Sequence, residues 1–282
     1  MHQISSGIYY EEAYSGVTLG ALLLPHGTIM IDAPLRAEDA RSWRTALNNI
    51  TSGSSRILVN LDSHLDRTLG SRALDCAIVA HQTTAQVFRN RPSVFKGHTA
   101  DSGAEWEVSN DVFGTRWAVP DVTFSDRLHF QWGEPEVILE HHPGPTLGSI
   151  WVIIPSAKVI FVGDTILFDQ PPFLASADLE AWIDSLVLLN NSYKDYIIIS
   201  GRGGPDGTNG VRAQLDIIKY IHRGLERLAK KNAPPEKTEG MISRLMAKMS
   251  IPTSRREHYI QRLRHGLYYY YSQHYQSIES IN

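Results

Sequence analysis

The stretch "LVNLDSHLDRTLGS" (58–71) begins with an apolar run and then places Asp62, His64 and Asp66 at alternate positions. Carboxylate and imidazole groups bind divalent metal ions, and an ion held by them can activate water for hydrolysis. Arg67 follows directly, and its guanidinium cannot bind a metal because it stays protonated and has no acceptor. The stretch therefore has the form of a metal-binding loop with at least one altered position.

Three later loops also follow apolar runs, namely "EHHPGPTLGS" (140–149), "VGDTIL" (162–167) and "SGRGGPDG" (200–207). One segment cannot surround two metal ions, so a two-metal hydrolytic site needs ligands from several strand ends. We therefore predict that the four loops converge on one cleft. Each feature alone has a simpler interpretation: Asp66 as a helix cap, His64 as a core residue, and the last loop as a flexible glycine segment.

The four loops, in this order and spacing, resemble the metallo-β-lactamase superfamily from about residue 7 to about residue 207. The segment "YYEEAYSGVTLGALLLPHGTIMIDAP" is similar to the family's opening strands, which end in an Ile-Asp pair, and 58–71 is similar to its H-x-H-x-D-H loop. "HHPGPTLGSIWVIIPSAKVIFVGDTIL" resembles the P-G-H-T-x-G-S hairpin and the metal-bridging Gly-Asp, and "IISGRGGP" resembles the G-H-G loop. The resemblance implies a four-layer αβ/βα sandwich of the α/β (α+β) class.

The sequence departs from the family's ligand set. Four positions where the family has histidines hold other residues, namely Asp62, Arg67, Pro145 and Arg202. Three positions keep the family's residue types, namely His64, Asp66 and Asp164. Proline has no donor atom for a metal and arginine stays cationic, so the usual two-metal site cannot form.

One of the family's two metal positions keeps a usable donor set. The resemblance implies that Asp62, His64 and Asp164 would hold one divalent ion, with water or His142 completing its coordination. We expect Zn²⁺, with Mn²⁺ or Fe²⁺ as alternatives, and the absence of any metal is a further alternative.

The second metal position keeps carboxylates but gains cations. There the resemblance brings Asp66 and Asp164 opposite Arg67 and Arg202. An unpaired buried carboxylate is costly, so a lost metal requires a replacement cation. We therefore expect a cluster of ion pairs in place of the second ion.

The elements that must position these loops alternate short β-like runs with helical runs over the first two-thirds of the chain. Residues 122–132 have the pattern of one strand, and residues 67–75 have the pattern of a helix. Two apolar runs joined at Ser156-Ala157 predict a hairpin.

The last quarter of the chain has helical patterns only. Leu215, Ile218, His222, Leu225 and Leu228 fall on one face, and "SRRE" (254–257) has the form of a capping box that starts a further helix. We predict a sandwich domain over 1–211 and a helical extension over 212–282 that packs on it and covers or flanks the cleft. Four consecutive tyrosines (268–271) must point all round their helix, so some should be buried and others exposed.

Composition narrows the classes of protein. The 282 residues are 42% hydrophobic, without a long apolar segment or a signal-like N-terminus, which indicates a cytoplasmic protein that does not span a membrane. Cys76 is the only cysteine, so an internal disulfide is excluded. From Arg212 onward there are 13 Lys and Arg against 6 Asp and Glu, but they are spread along helices without a nucleic-acid motif, which disfavours nucleic acid as a partner.

Two functions remain open from the sequence. The first is a one-metal hydrolase in which Asp66, Arg67 and Arg202 take part in catalysis, with the arginines polarising a carbonyl or pairing with an anionic substrate. The second is a metal-free descendant that binds a small anionic ligand or a protein partner. A homodimer is favoured if the tyrosine-rich helix has an exposed face.

Overall fold

A computed structural model describes residues 1–51, 55–97, 102–104, 107, 112–167 and 169–276. Its described part contains two β-sheets. The strands of the first sheet are β1 (His2–Ser5), β2 (Ile8–Glu11), β3 (Leu19–Leu24), β4 (Gly27–Ile31), β5 (Arg56–Val59), β6 (Ala77–His81) and β7 (Val122–Phe124). The strands of the second sheet are β8 (Arg127–Phe130), β9 (Val137–His141), β10 (Ile150–Ile154), β11 (Val159–Gly163), β12 (Ile197–Ser200) and β13 (Pro205–Asp206).

Both sheets are mixed. The first has the order β1 to β7, antiparallel from β1 to β4 and parallel from β4 to β7. The second has the order β13-β12-β11-β10-β9-β8, in which only β11 and β12 run parallel. The predicted hairpin at Ser156-Ala157 is confirmed, since β10 and β11 pair antiparallel around it.

The helices cover the outer faces of the sheets. They are α1 (Ala37–Asn48), α2 (Gln82–Asn90), α3 (Leu179–Ser192), α4 (Thr208–Ala229), α5 (Ile242–Met246) and α6 (Arg256–Tyr275). Short 3₁₀ helices cover Leu65–Arg67, Leu69–Leu74, Pro155–Ala157, Pro235–Met241 and Thr253–Arg255. None of the helices in the described ranges is long and apolar enough to cross a membrane.

Of the four apolar clusters among the described residues, three join the layers. Between the sheets, side chains such as Ile31 and Val59 pack against Val152 and Phe161. Trp43 and Leu47 of α1 cover the outer face of the first sheet. A third core covers the outer face of the second sheet and contains residues of α3, α4, α5 and α6. The predicted αβ/βα sandwich with C-terminal helices is therefore confirmed.

The C-terminal helices share their core with the sandwich. Ile218 and Leu225 of α4 and Leu267 of α6 are fully buried in the same cluster as Trp151 and Trp182. The boundary expected between residues 211 and 212 falls inside α4, which begins at Thr208. The last six residues of the expected extension, 277–282, lie outside the described residues.

Three local predictions were wrong. Residues 122–132 form two strands, β7 and β8, which belong to different sheets. The helix expected over residues 67–75 is replaced by two 3₁₀ helices, Leu65–Arg67 and Leu69–Leu74. The helix expected near Ser254 exists, but its first residue is Arg256 and no side chain caps it, so the capping box does not form. The expectation for the tyrosine run is met, since Tyr270 and Tyr271 are buried whereas their two predecessors are exposed.

Candidate functional site

The predicted site residues lie where strands of both sheets end. Asp62 and His64 follow β5, and the 3₁₀ turn Leu65–Arg67 carries the next two. Asp164 follows β11 and Arg202 follows β12. Parallel neighbours end at the same edge of a sheet, and the two sheets face each other, so these loops meet at one edge. The structure brings six of the seven predicted residues together, and His142 stands apart.

Arg202 links two of the carboxylates. Its Nη1 and Nη2 donate to Oδ2 and Oδ1 of Asp66 over 2.5 and 2.9 Å. Its Nε and Nη2 donate to Asp164 over 3.1–3.2 Å. The Arg202 side chain is 3% exposed, and its guanidinium packs over the Phe173 ring at 4.7 Å. Both oxygens of Asp66 are therefore engaged by a buried cation.

Arg67 also contacts Asp164, links it to two further carboxylates, and is completely buried. Its Nη2 donates to Oδ1 of Asp164, its Nη1 donates to Oδ2 of Asp32 over 3.1 Å, and its Nε lies 3.5 Å from Oδ1 of Asp62. Such charge-assisted contacts are the strong class of hydrogen bonds. With no exposed surface, Arg67 can neither polarise a substrate carbonyl nor contact an anionic substrate directly.

Two glycines leave room for the Arg67 guanidinium. A Cβ atom added to Gly201 would lie 2.5 Å from Arg67 Nη2 and 2.6 Å from Asp164 Oδ1. At Gly163, whose φ is +57°, an added Cβ would lie 3.1 Å from Arg67 Nη1. These loops therefore fit the arginine closely, as expected of a packed structural element.

Asp32 is the member that the sequence analysis did not assign. It ends the opening strands as part of the Ile-Asp pair, and its Oδ1 accepts a hydrogen bond from the Leu61 backbone N–H at 2.9 Å. Burial raises the pKa of Asp32 to about 7, because the charge of Arg67 offsets the burial only in part. The signal that could have identified it is its position directly after β4, beside the end of β5.

His64 lies between two carboxylates of the cluster, Asp62 and Asp164. Its Nδ1 lies 2.9 Å from Oδ2 of Asp62 and 3.3 Å from Oδ2 of Asp164, and its backbone N–H donates to Oδ1 of Asp62 at 2.8 Å. Its Nε2 is buried without a hydrogen-bond partner in the part of the chain that the structure describes. One ligand atom from each of these three residues falls within 4.8 Å of the others.

The donor set fits one divalent ion and does not fit two. Two carboxylates and an imidazole at these separations are an O/N/O set that zinc, manganese or iron accepts. The second position has no such set, because both oxygens of Asp66 already accept hydrogen bonds from Arg202. An ion bound through Nδ1 of His64 would replace the contacts of this atom with Asp62 and Asp164.

His142, the expected fourth ligand, is not part of this group. Its Nε2 contacts Oε2 of Glu140 at 3.2 Å, and its ring stacks on Trp151 with centroids 3.7 Å apart. Residues 142 and 145 both lie in the loop between β9 and β10, and the paired β-strands orient His142 toward the outer core. Sequence distance from a lost ligand position is therefore a poor guide to coordination.

Ion pairing determines the protonation of the cluster. Burial is the largest single influence on Asp66 and would raise its pKa, but Arg202, His64 and Arg67 together hold the pKa below its ordinary value. Arg67 and His64 together outweigh burial in the same way and lower the pKa of Asp62. Burial would lower the pKa of His64, but Asp62, Asp164 and Asp66 together reverse this and raise it.

A cavity of about 260 Å³ opens beside His64 and Asp66. Its other walls come from the C-terminal end of α2, from residues 173–176 and from α6, which contributes Arg262, His265 and Gly266. The helical extension therefore forms one side of the cleft, as the sequence analysis expected.

Residues 64–202 match the family model described as the metallo-beta-lactamase superfamily. Among solved structures, the chain is similar to a metallo-β-lactamase from Pontibacter korlensis, at 19% identity and a TM-score of 0.58, over 77% of this chain and 97% of that chain. It is also similar to the DIM-1 metallo-β-lactamase, at 14% identity and a TM-score of 0.61, over 78% and 96% of the chains.

A third similar structure is the stereoselective inverting sec-alkylsulfatase Pisa1 from Pseudomonas sp., at 13% identity and a TM-score of 0.67. That similarity covers 99% of this chain and 50% of the sulfatase. No curated protein matches the sequence. At these identities the solved structures show the shared fold, and the family match confirms the resemblance seen in the loops.

Proposed function

We propose that this chain, whose residues 64–202 belong to the metallo-β-lactamase superfamily, is a metal-dependent hydrolase with an altered site. The site holds at most one divalent ion, between Asp62, His64 and Asp164. Arg67 and Arg202 stand in for the second ion of the family's usual site. The observation that carries the proposal is the convergence of the three ligand atoms within 4.8 Å, beside an open cavity.

The chain's own groups orient the site. A bound divalent ion would supply Lewis-acid chemistry and activate water for hydrolysis. The His64 backbone N–H fixes one oxygen of Asp62, and Arg67 fixes one oxygen of Asp164. Arg202 holds Asp66 against the same carboxylate, so the carboxylates keep their positions without a second ion.

In this proposal both arginines are positioning residues. Arg67 has no exposed surface and Arg202 has 3%, so neither guanidinium is available to a substrate. The arginines stabilise the site electrostatically, because leaving buried carboxylates without a cation would cost several kcal/mol of folding stability, by order of magnitude. Zinc is the proposed ion because carboxylate and imidazole are among its usual ligands, with manganese or iron as alternatives.

A metal-free protein that binds a small anionic ligand or a protein partner is the second candidate. One observation favours it: Asp164 Oδ1 accepts from Arg67 and Arg202, and its Oδ2 faces Arg202 and His64. Two guanidiniums and the His64 ring also face Asp62, Asp66 and Asp164 from within the protein. An ion must compete with these contacts.

Metal analysis separates the two candidates. We expect purified protein saturated with Zn²⁺ and then desalted to retain at most one equivalent, measured by elemental analysis and by calorimetric titration. His64→Gln should abolish retention, whereas His142→Gln should leave the stoichiometry unchanged because that ring contacts Glu140 and Trp151. Two tightly held ions would contradict both candidates, and failure of the wild type to retain any divalent ion would favour the metal-free one.

Self-association is proposed through α6. Tyr268 and Tyr269 are 37% and 44% exposed on this helix, next to the buried Tyr270 and Tyr271. Light scattering on wild type and on the double variant Tyr268→Glu, Tyr269→Glu tests a homodimer, since charges there would separate two copies.

A further inference from the structure

The cavity beside His64 contains a cation that the metal-site proposal does not use. Arg91 directly follows α2 and borders the cavity together with Ser63, His64 and Asp66. Its Nη2 donates to the Ser63 carbonyl oxygen at 2.8 Å. Its guanidinium also packs over the rings of Trp117 and Phe88, at 4.6 and 4.9 Å from their centroids.

Arg91 has no counterion within the described residues. No carboxylate of the described chain forms an ion pair with Arg91 at 4.0 Å or less, and its Nη1 is buried without a hydrogen-bond partner there. This contrasts with Arg67 and Arg202, which each contact at least two carboxylates. Arg91 is therefore a different kind of arginine from those of the cluster.

A largely buried guanidinium without an anion is energetically unfavourable. Burial lowers the pKa of Arg91 to about 10, and the attraction of Asp62 reduces this effect only in part. The group nevertheless stays protonated at neutral pH, so its charge must be met by solvent or by an incoming anion. Guanidinium groups bind carboxylate and phosphate oxygens with paired hydrogen bonds, and the Arg91 side chain is partly exposed where it borders the cavity.

The rest of the cavity is mainly apolar. Its apolar walls include Leu65, Val87, Phe173 and Leu174, and the side chain of Arg262 from α6 also borders it. At about 260 Å³ it is slightly smaller than the usual range for small-molecule sites, which is about 300–1,000 Å³. Such a cavity suits a small molecule with an apolar body and one anionic group.

We propose that this cavity binds a small organic anion, a carboxylate or phosphate on a short apolar body, and that Arg91 recognises the anionic group. The inference adds a ligand class to the proposed function. It rests on that function only in placing the ligand next to a metal ion, because the cavity lies beside His64. Arg91 is the specificity residue, and the apolar walls hold the body of the ligand.

Binding of three probes of equal chain length tests the proposal. The probes are hexanoate, hexyl phosphate and the neutral hexanamide, each titrated by ligand-observed NMR into the full-length protein. We expect one or both anions to bind at least about tenfold more tightly than the amide, as a charge-assisted hydrogen bond implies. The two anions distinguish a carboxylate site from a phosphate site. Equal binding of all three, or no binding, would overturn the proposal.

Variants separate recognition from structure. Arg91→Met should lose the preference for anions while still binding hexanamide, and Arg91→Lys should restore part of it. Arg89→Met is the matched control, because Arg89 is exposed on the same helix and should leave the ratio unchanged. Loss of anion and amide binding together in a folded Arg91→Met protein would assign Arg91 a packing role and overturn its recognition role. If this variant does not fold, the wild-type ratio and Arg91→Lys decide.

Metal content keeps the two proposals distinguishable. Arg91→Met should retain as much Zn²⁺ as the wild type, because Arg91 contacts none of the three ligand residues. Anion preference in a protein that binds no metal would leave the cavity proposal standing and reject the metal site. Zinc binding without anion preference would leave the metal site standing and reject the cavity proposal.

Discussion

Arg202 and Asp66 are 136 residues apart in sequence and form a buried bidentate ion pair, with N···O distances of 2.5 and 2.9 Å. Removing the guanidinium leaves the Asp66 carboxylate without its counterion, and this carboxylate has almost no solvent access. We therefore expect Arg202→Ala to lower the free energy of unfolding by about 3–5 kcal/mol. Urea denaturation monitored by fluorescence would measure the loss.

Arg264→Ala is the control for that substitution. Arg264 also forms an ion pair, with Glu239, but both side chains are about half exposed. Exposed pairs contribute roughly 0–1 kcal/mol, so this variant should change stability little. Equal effects of the two substitutions would mean that water screens the Asp66 pair and that the cluster is not a buried replacement for an ion.

The sequence predicted which residues form the site better than it predicted which of these residues pair with each other. The order of the loops was enough to bring Asp62, His64, Asp66, Asp164 and both arginines together, because strand ends of a sandwich meet at one edge. Which cation pairs with which carboxylate depends on side-chain directions that no spacing encodes. Asp32 was missed because a lone aspartate after a strand looks like an ordinary turn residue.

Local errors in the fold have similar physical causes. Residues 122–132 have a continuous β pattern, but the chain turns at Ser125-Asp126 and crosses from one sheet to the other. Residues 67–75 have a helical pattern, but the structure has two 3₁₀ helices there, and Asp66 and Arg67 of the first take part in the ion-pair cluster. Tertiary contacts decided both cases.

Gly201 should not tolerate a side chain. The added Cβ of Gly201→Ala would lie 2.5 Å from Arg67 Nη2 and 2.6 Å from the Gly163 carbonyl carbon. Backbone or guanidinium must shift, so we expect a loss of about 1–3 kcal/mol in the free energy of unfolding. Gly240→Ala is the matched control, since nothing lies within 4 Å of its added Cβ. An unchanged midpoint for Gly201→Ala would show that Arg67 is loosely held.

Asp32 should make stability fall as the pH rises from about 4 to about 7. Its native pKa is about 7, whereas an unfolded aspartate titrates near about 3.9, so the native state binds more protons in this window. The free energy of unfolding should therefore decrease by up to about 1.4 kcal/mol per pH unit, with no further contribution above the window. Asp32→Asn removes the titration, and asparagine accepts the left-handed φ of 59° at this position.

Urea unfolding of wild type and Asp32→Asn between pH 4.5 and pH 8.5 measures this effect. The wild type should lose stability relative to the variant as the pH rises. All other titratable groups are the same in both proteins, so the difference reports Asp32 and its interactions with Arg67, Asp62 and Asp164. Parallel profiles would mean that Arg67 keeps Asp32 ionised throughout.

The helical extension should be part of the cooperative fold. Leu267 of α6 is fully buried against the second sheet's outer core, so Leu267→Ala should cost about 2–5 kcal/mol. Tyr268→Ala, at the exposed neighbouring position, should change stability by less than about 0.5 kcal/mol. Deletion of residues 212–282 should give insoluble protein, because it uncovers Trp182 and Leu186. A soluble 1–211 fragment that unfolds cooperatively would contradict the prediction.

Restoring histidines should restore a second metal position only when all altered positions change together. With Arg67→His alone, Arg202 still engages both oxygens of Asp66 and contacts Asp164, so no second donor set is free. We expect that variant to retain at most one equivalent of Zn²⁺ by elemental analysis.

The fourfold variant combines Asp62→His, Arg67→His, Pro145→His and Arg202→His, and it should retain about two equivalents, following the ligand sets of two-metal hydrolytic sites. A threefold variant that keeps Arg202 is the control. It should retain one equivalent of Zn²⁺, because the Arg202 guanidinium repels a second ion and occupies the Asp66 and Asp164 carboxylates. Two ions in the Arg67→His protein would show that Arg202 can leave Asp66, and the view that the arginines replace the second ion would then have to be abandoned.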